Sequence, residues 1–131
     1  MGATENLELV RAGYAAFSAG DMDTLAGLFK PDIVHSVPGT SQIAGDHKGT
    51  ADVLAMYGNL FALSEGTMSV ELEDVLSDGG NQVISIHTAK ATRNGETRTS
   101  RDCLLFTVED GKIAAIQDFF ADLDGENQFW S

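Results

Sequence analysis

The sequence predicts an α+β domain, with three N-terminal helices packed on one face of an antiparallel sheet. Three observations carry that prediction. Helical spacing of apolar residues is confined to the first half of the chain. From Met68 onward, apolar and polar residues alternate with the period of half-buried strands. Asn94-Gly95 and Glu109-Asp110-Gly111 then punctuate the second half as tight turns, which makes it a meander.

The elements follow in order. Leu7, Val10, Tyr14 and Phe17 recur at helical spacing and define the first helix, which Gly20 stops. Asp21 caps a second, short helix marked by Met22, Leu25, Leu28 and Phe29, and Pro31 ends it. Ile33, Val34 and Val37 form a short strand, followed by a Gly-, Ser- and Thr-rich loop from Pro38 to Gly49. Thr50 and Asp52 open the third helix, with Val53, Met56, Tyr57, Leu60 and Phe61 as its apolar positions. Strands are then expected over Met68 to Leu76, Gln82 to Thr92, Thr97 to Val108 and Lys112 to Ala121.

Composition narrows the function. The 131 residues suit a single domain, spanning 1–131, with a core that needs neither disulfide nor metal. A net charge of −12 repels phosphate backbones and anionic membrane surfaces, so neither nucleic acid nor membrane is an expected partner. No apolar run is long enough to span a bilayer. The start MGATENLELV has neither the basic nor the apolar stretch of a secretory signal, and Asn6 stands where a myristoylation motif requires Ser or Thr. With Cys103 as the only cysteine, these features lead to the expectation of a cytoplasmic protein. The three histidines lack metal-binding spacing, and there is no phosphate loop or nucleophile elbow, so no metal and no cofactor is expected.

Hairpin counting places the polar residues. With Asn94-Gly95 as a two-residue loop, Arg93 faces Glu96 and His87 falls directly opposite Asp102. With Glu109-Asp110-Gly111 as a three-residue bulged turn, Asp102 faces Asp118, and Leu104, Phe106, Ile116 and Phe120 share their face. A plain two-residue loop would instead set Asp102 opposite Phe119 and turn Asp118 to the other side. The bulged turn is preferred because it gathers the apolar residues against the helices. The opposite face, carrying Ile86, Leu105, Ile113 and Phe119, needs a cover of its own, and a homodimer supplies one.

The stretches "YAAFSAGDMDTLAGLFKPDIV", "VPGTSQIAGDHKG" and "VEDGKIAAIQDFFAD" resemble the SnoaL-like polyketide cyclase branch of the nuclear transport factor 2-like superfamily, over nearly the whole chain. The resemblance implies a cone-shaped fold related to ketosteroid isomerase and limonene epoxide hydrolase. Asp118, in "IQDFF", falls where the cyclases and the epoxide hydrolase carry a catalytic Asp. The hydrolase's Arg and second Asp are matched only by His87 and Ala89, so its triad is incomplete. The isomerase's base corresponds to Ser36 and its oxyanion tyrosine to Gly13, next to Tyr14, which argues against steroid isomerisation.

His87, Asp102 and Asp118 are therefore the candidate catalytic residues. Asp118 is assigned as base, His87 as acid or oxyanion stabiliser, and Asp102 as the group that orients His87. On this arrangement Asp102 raises the His87 pKa, and like-charge repulsion between Asp118 and Asp102 raises the pKa of one of the two carboxyls. The competing reading is a structural histidine satisfied by an acid. Tyr14 and Ser36 are candidate donors to a ligand oxygen. Phe17, Met56, Leu60, Leu104, Ile116, Phe120 and Trp130 are candidate cavity lining, with Phe129 and Trp130 closing the mouth or packing on a partner. His35 is expected to point away from the pocket, and His47 to be exposed. The expected function is acid/base chemistry without a cofactor, of isomerase or cyclase type, on a small apolar carbonyl-bearing molecule. The alternative is a non-catalytic binding protein for a small hydrophobic ligand.

Overall fold

The computed structural model describes residues 2–131. Helix α1 (Ala3–Ala19) ends at Gly20, whose φ of 68° is the left-handed conformation that closes a helix. Helix α2 (Met22–Leu28) is capped by Asp21, which accepts from the Thr24 amide at 3.1 Å. It stops before Phe29, earlier than Pro31 suggests. Phe29 opens strand β1 (Phe29–Val37), and Pro31 lies within that strand.

Strand β2 (Gly45–Lys48) occupies the end of the segment expected to be loop, pairing antiparallel with Val34–Val37. Its sequence, GDHK, has no apolar alternation to reveal it, because backbone pairing along β1 holds it in place. Within the same segment His47 is half-buried and bonded to the Ile43 carbonyl at 2.8 Å, against the expectation of exposure. Helix α3 (Thr50–Leu63) buries Val53, Met56, Tyr57 and Leu60 as its stripe predicts. Strands β3 (Ser69–Ser77), β4 (Gln82–Arg93), β5 (Glu96–Glu109) and β6 (Lys112–Phe119) form the meander, and a fourth helix, α4 (Leu123–Phe129), follows.

The sheet order is β2-β1-β6-β5-β4-β3. It is mixed rather than wholly antiparallel, because β1 runs parallel to its neighbour β6. Asn94 and Gly95, with φ of 53° and 78°, make the expected hairpin loop, and Arg93 pairs with Glu96. Along that hairpin His87 pairs with Asp102 as counted.

The last hairpin differs from the preferred count. Asp110-Gly111 is a two-residue loop, with Glu109 paired to Lys112, and the extra residue is Ala114, bulged out between Ile113 and Ala115. The bulge restores the side-chain parity that a plain two-residue loop would have reversed. Asp118 therefore does share a face with Asp102. Its cross-strand partner, however, is Leu104, one inward position away, and not Asp102. The same bulge turns Ile113 into the core, where it is 1% exposed, rather than onto the outer face. A second bulge at Glu73 lets Leu72 and Val75 both face inward and leaves Leu76 outside.

The concave face of the sheet, the helices and the C-terminal segment enclose one core. The convex face leaves Leu76, Ile84 and Phe119 half exposed to solvent.

Candidate active site

The core is not completely filled. A cavity of about 140 Å³ lies between α1, α3, α4 and the concave sheet face, and its walls are mostly apolar. Among the predicted site residues, His87, Asp102 and Asp118 line it, as do Tyr14, Phe17, Met56, Leu60, Leu104, Ile116, Phe120 and Trp130. Ser36 does not. On β1 the alternation sends Ile33, His35 and Val37 inward and Ser36 to the other face. His35 is thus 5% exposed and inside the cavity, which reverses the expectation for both residues. The signal was available in the sequence: His35 stands two residues from each of two aliphatic core positions.

His35 joins β1, β6 and α3. Its Nε2 lies 3.0 Å from Asp118 Oδ1, and its Nδ1 lies 2.7 Å from the Tyr57 hydroxyl. Burial, reinforced by the charge of Asp118, pushes the Tyr57 pKa up, so this phenol keeps its proton. Its only hydrogen-bond partner among the described residues is His35 Nδ1. Tyr57 donates to that nitrogen, and His35 donates from Nε2 to the carboxylate. No hydrogen bond among the described residues engages Asp118 Oδ2, although Asp118 forms part of the cavity wall.

A second chain lies on β4 and α1. The Tyr14 hydroxyl is 2.5 Å from His87 Nδ1 and 2.7 Å from Ser85 Oγ. Burial pushes the Tyr14 pKa up, and this phenol also stays neutral. Like Asp118 Oδ2, His87 Nε2 has no partner among the described residues. Burial lowers the His87 pKa, and the opposing charges of Asp102, Asp118 and Glu73 do not overcome it. This reverses the expected direction.

The reason is visible at Asp102. It pairs with His87 in register but makes no hydrogen bond to it. One carboxylate oxygen accepts from Ser100 Oγ at 2.6 Å and the other from the Ala121 amide at 3.0 Å. Asp102 therefore ties β5 to the segment after β6, and Tyr14 orients His87 in its place. The adjacent pair of carboxyls expected from hairpin counting is not formed, since Asp118 is held by His35 on the other side of Leu104.

The C-terminal segment closes one end of the cavity. Phe129 and Trp130 are buried in the wall, so α4 covers the mouth from within the same chain. Glu126 accepts from Trp130 Nε1 at 2.9 Å and from Arg98 Nε at 3.2 Å. Burial raises the Glu126 pKa, with Arg98 opposing the shift. Asn127 anchors the loop after β1 by accepting from the Thr40 amide at 2.8 Å. At neighbouring Gly39, with φ of 106°, a Cβ would collide with the Asn127 side chain. The Glu126 clasp on Trp130 and Arg98 was not read from the sequence, because α4 is short and rich in polar residues.

The fold and these motifs agree with one family, whose SnoaL-like domain matches residues 10–116. This chain belongs to the SnoaL-like family. The uncharacterized protein Rv0034 of Mycobacterium tuberculosis is 40% identical over 126 residues, covering 96% of each chain. Bal32a, from a soil-derived mobile gene cassette, is 40% identical with a TM-score of 0.94, covering 98% of each chain. A Xanthomonas campestris protein of unknown function with a cystatin-like fold is 30% identical with a TM-score of 0.90, covering 96% of this chain and 98% of that one. Solved proteins described as NTF2-like share the fold at lower identity. The nuclear transport factor 2-like fold expected from the sequence is thus the fold of this SnoaL-like chain, and no helix among the described residues is long and apolar enough to cross a membrane.

Proposed function

We propose that this SnoaL-like protein is a cofactor-independent acid/base enzyme of isomerase or cyclase type, acting on a small, apolar, carbonyl-bearing molecule held in the cavity. One observation carries the reading. Asp118 Oδ2 and His87 Nε2 are polar atoms without hydrogen-bond partners among the described residues, on two side chains that line a single apolar cavity. A carboxylate oxygen in low-polarity surroundings is a competent proton acceptor, and a neighbouring imidazole N–H stabilises the oxyanion that forms when a proton leaves the carbon beside a carbonyl. His35 holds Asp118 in place, and Tyr57 holds His35. Asp102 is a structural tie in this scheme, not the group that orients the histidine.

Charge selects the ligand further. Asp102, Asp118 and Glu126 line the cavity, and the wall's Arg98 is already engaged by Glu126 and by Asp122, the latter at 3.6 Å. Anionic ligands are disfavoured on this ground, and neutral ones are favoured.

The second reading is a binding protein for a small hydrophobic ligand. It is favoured by the engagement of both Asp102 oxygens and of Asp118 Oδ1 in bonds that hold the fold together. The convex face with Leu76, Ile84 and Phe119 supports a homodimer as the functional form.

Asp118→Asn separates the two readings. Trp130 is the only tryptophan and lies in the cavity wall, so its fluorescence reports occupancy. In the enzyme reading, turnover collapses by about 10²–10⁴-fold while a neutral ketone still perturbs Trp130. Equal turnover in both proteins would remove Asp118 from the chemistry.

A further inference from the structure

We propose that Tyr14, backed by Ser85, locks His87 as the neutral tautomer with its proton on Nε2, so that the cavity wall presents an N–H donor to an acceptor oxygen of the ligand. This deepens the enzyme reading and rests on His87 facing the ligand. It assigns Tyr14 as a positioning residue.

The number of hydroxyl hydrogens sets the direction of the chain. Ser85 is fully buried, and the Tyr14 hydroxyl is its only side-chain partner among the described residues. Tyr14 in turn has two partners, Ser85 Oγ and His87 Nδ1. Two hydroxyl hydrogens must therefore be accommodated by three acceptors. If Ser85 donates to Tyr14 and Tyr14 donates to Nδ1, both hydrogens are satisfied. If the chain runs the other way, from Nδ1–H to Tyr14 and from Tyr14 to Ser85, the Ser85 hydrogen is left buried without an acceptor. A buried unmade hydrogen bond is the costlier arrangement. The first direction leaves Nδ1 without a hydrogen of its own, and the imidazole proton resides on Nε2 of a ring that lines the cavity.

Charging the ring would require Nδ1 to donate, which reverses the chain and strands the same serine hydrogen. The tautomer lock and the resistance of His87 to protonation thus have a common origin besides burial. The acids whose charge reaches His87 are Asp102 and Asp118 on the cavity side and Glu73, which bonds Thr88 and Arg101 on the other face, and none of them bonds to its ring. His87 therefore acts on a ligand as a donor, while Asp118 Oδ2 is the acceptor. Together they define a ligand class: a neutral apolar molecule with an acceptor oxygen next to an acidic hydrogen, such as an enolisable ketone or a hydroxyketone.

The test is a long-range ¹H–¹⁵N NMR spectrum of the ligand-free protein at pH 8. Wild type is expected to show one His87 tautomer, with the proton on Nε2. Tyr14→Phe removes the donor to Nδ1, and a measurable Nδ1–H population is expected to appear. Ser85→Ala leaves Nδ1 as the only acceptor for the Tyr14 hydrogen and is expected to retain the wild-type tautomer. A wild-type proton on Nδ1, an unchanged tautomer in Tyr14→Phe, or a reversed one in Ser85→Ala would each overturn the proposal. Because no ligand is used, an intact tautomer lock alongside failed turnover would reject the enzyme reading and not the lock.

Discussion

His35 Nε2 lies 3.0 Å from Asp118 Oδ1, so a histidine on the first strand holds the carboxylate of the last. The two residues sit on parallel neighbours β1 and β6, where His35 pairs with Ile116 and reaches the next inward side chain. This contact links the seam of the sheet to the cavity wall.

Removing His35 should therefore be felt in both stability and chemistry. His35→Leu leaves a buried carboxylate oxygen and the Tyr57 hydroxyl without their partner. The expected cost is about 2–6 kcal/mol, since each of the two unmade buried bonds costs roughly 1–3 kcal/mol. Urea unfolding measures it. A loss below about 0.5 kcal/mol, the scale of an ordinary surface substitution, would mean that water replaces His35 without penalty.

The pH dependence follows from His87. Its folded pKa lies below the ordinary 6.5 because burial disfavours the imidazolium. As pH falls through 6.5, the unfolded chain takes up a proton that the folded chain refuses. The unfolded state then binds more protons, and stability declines with falling pH until the folded pKa is passed. Above 6.5 both forms are neutral and the contribution is complete. His87→Gln should flatten this part of the profile when melting temperatures are compared between pH 5 and 8. An unchanged slope in that variant would assign the effect to other groups.

The convex face predicts an assembly. Leu76, Ile84 and Phe119 are 51%, 44% and 54% exposed, on a surface flanked by the half-buried Ile86, Cys103 and Leu105. Light scattering coupled to size exclusion should give a dimer for wild type. Ile84→Glu should give a folded monomer, with the circular dichroism of the parent. A wild-type monomer at micromolar concentration would leave this face without a second copy.

Much of this arrangement was legible in the sequence because it rests on local patterns. Asn94-Gly95 fixed the β4–β5 register, and that register alone brought His87 opposite Asp102. The helical stripe of α3 identified Tyr57 as inward. What escaped was set by single inserted residues and by tertiary pairing. The two-residue loop and the Ala114 bulge together put Asp118 opposite Leu104 instead of Asp102, and nothing in "GKIAAIQD" announces which residue bulges. The inward position of His35 was legible in principle, since Ile33 and Val37 share the histidine's parity and Ser36 does not. The direction of the His87 pKa is not legible from register, because residues paired in register need not touch and the carboxylate of Asp102 is occupied by Ser100 and Ala121. The closing role of α4 depends on Glu126, whose donors Arg98 and Ser100 lie on β5 while Trp130 follows α4 itself.

The central claim is that Asp118 takes a proton from a neutral ligand in this cavity. The most direct measurement is exchange of α-protons for deuterium in a panel of apolar cyclic ketones, followed by ¹H NMR in D₂O with wild type and Asp118→Asn. Exchange well above the buffer rate is expected for at least one ketone that perturbs Trp130 fluorescence, with a loss of about 10²-fold or more in the variant. A ketone that binds wild type and exchanges no faster than in buffer, or equally fast with Asp118→Asn, would contradict the claim.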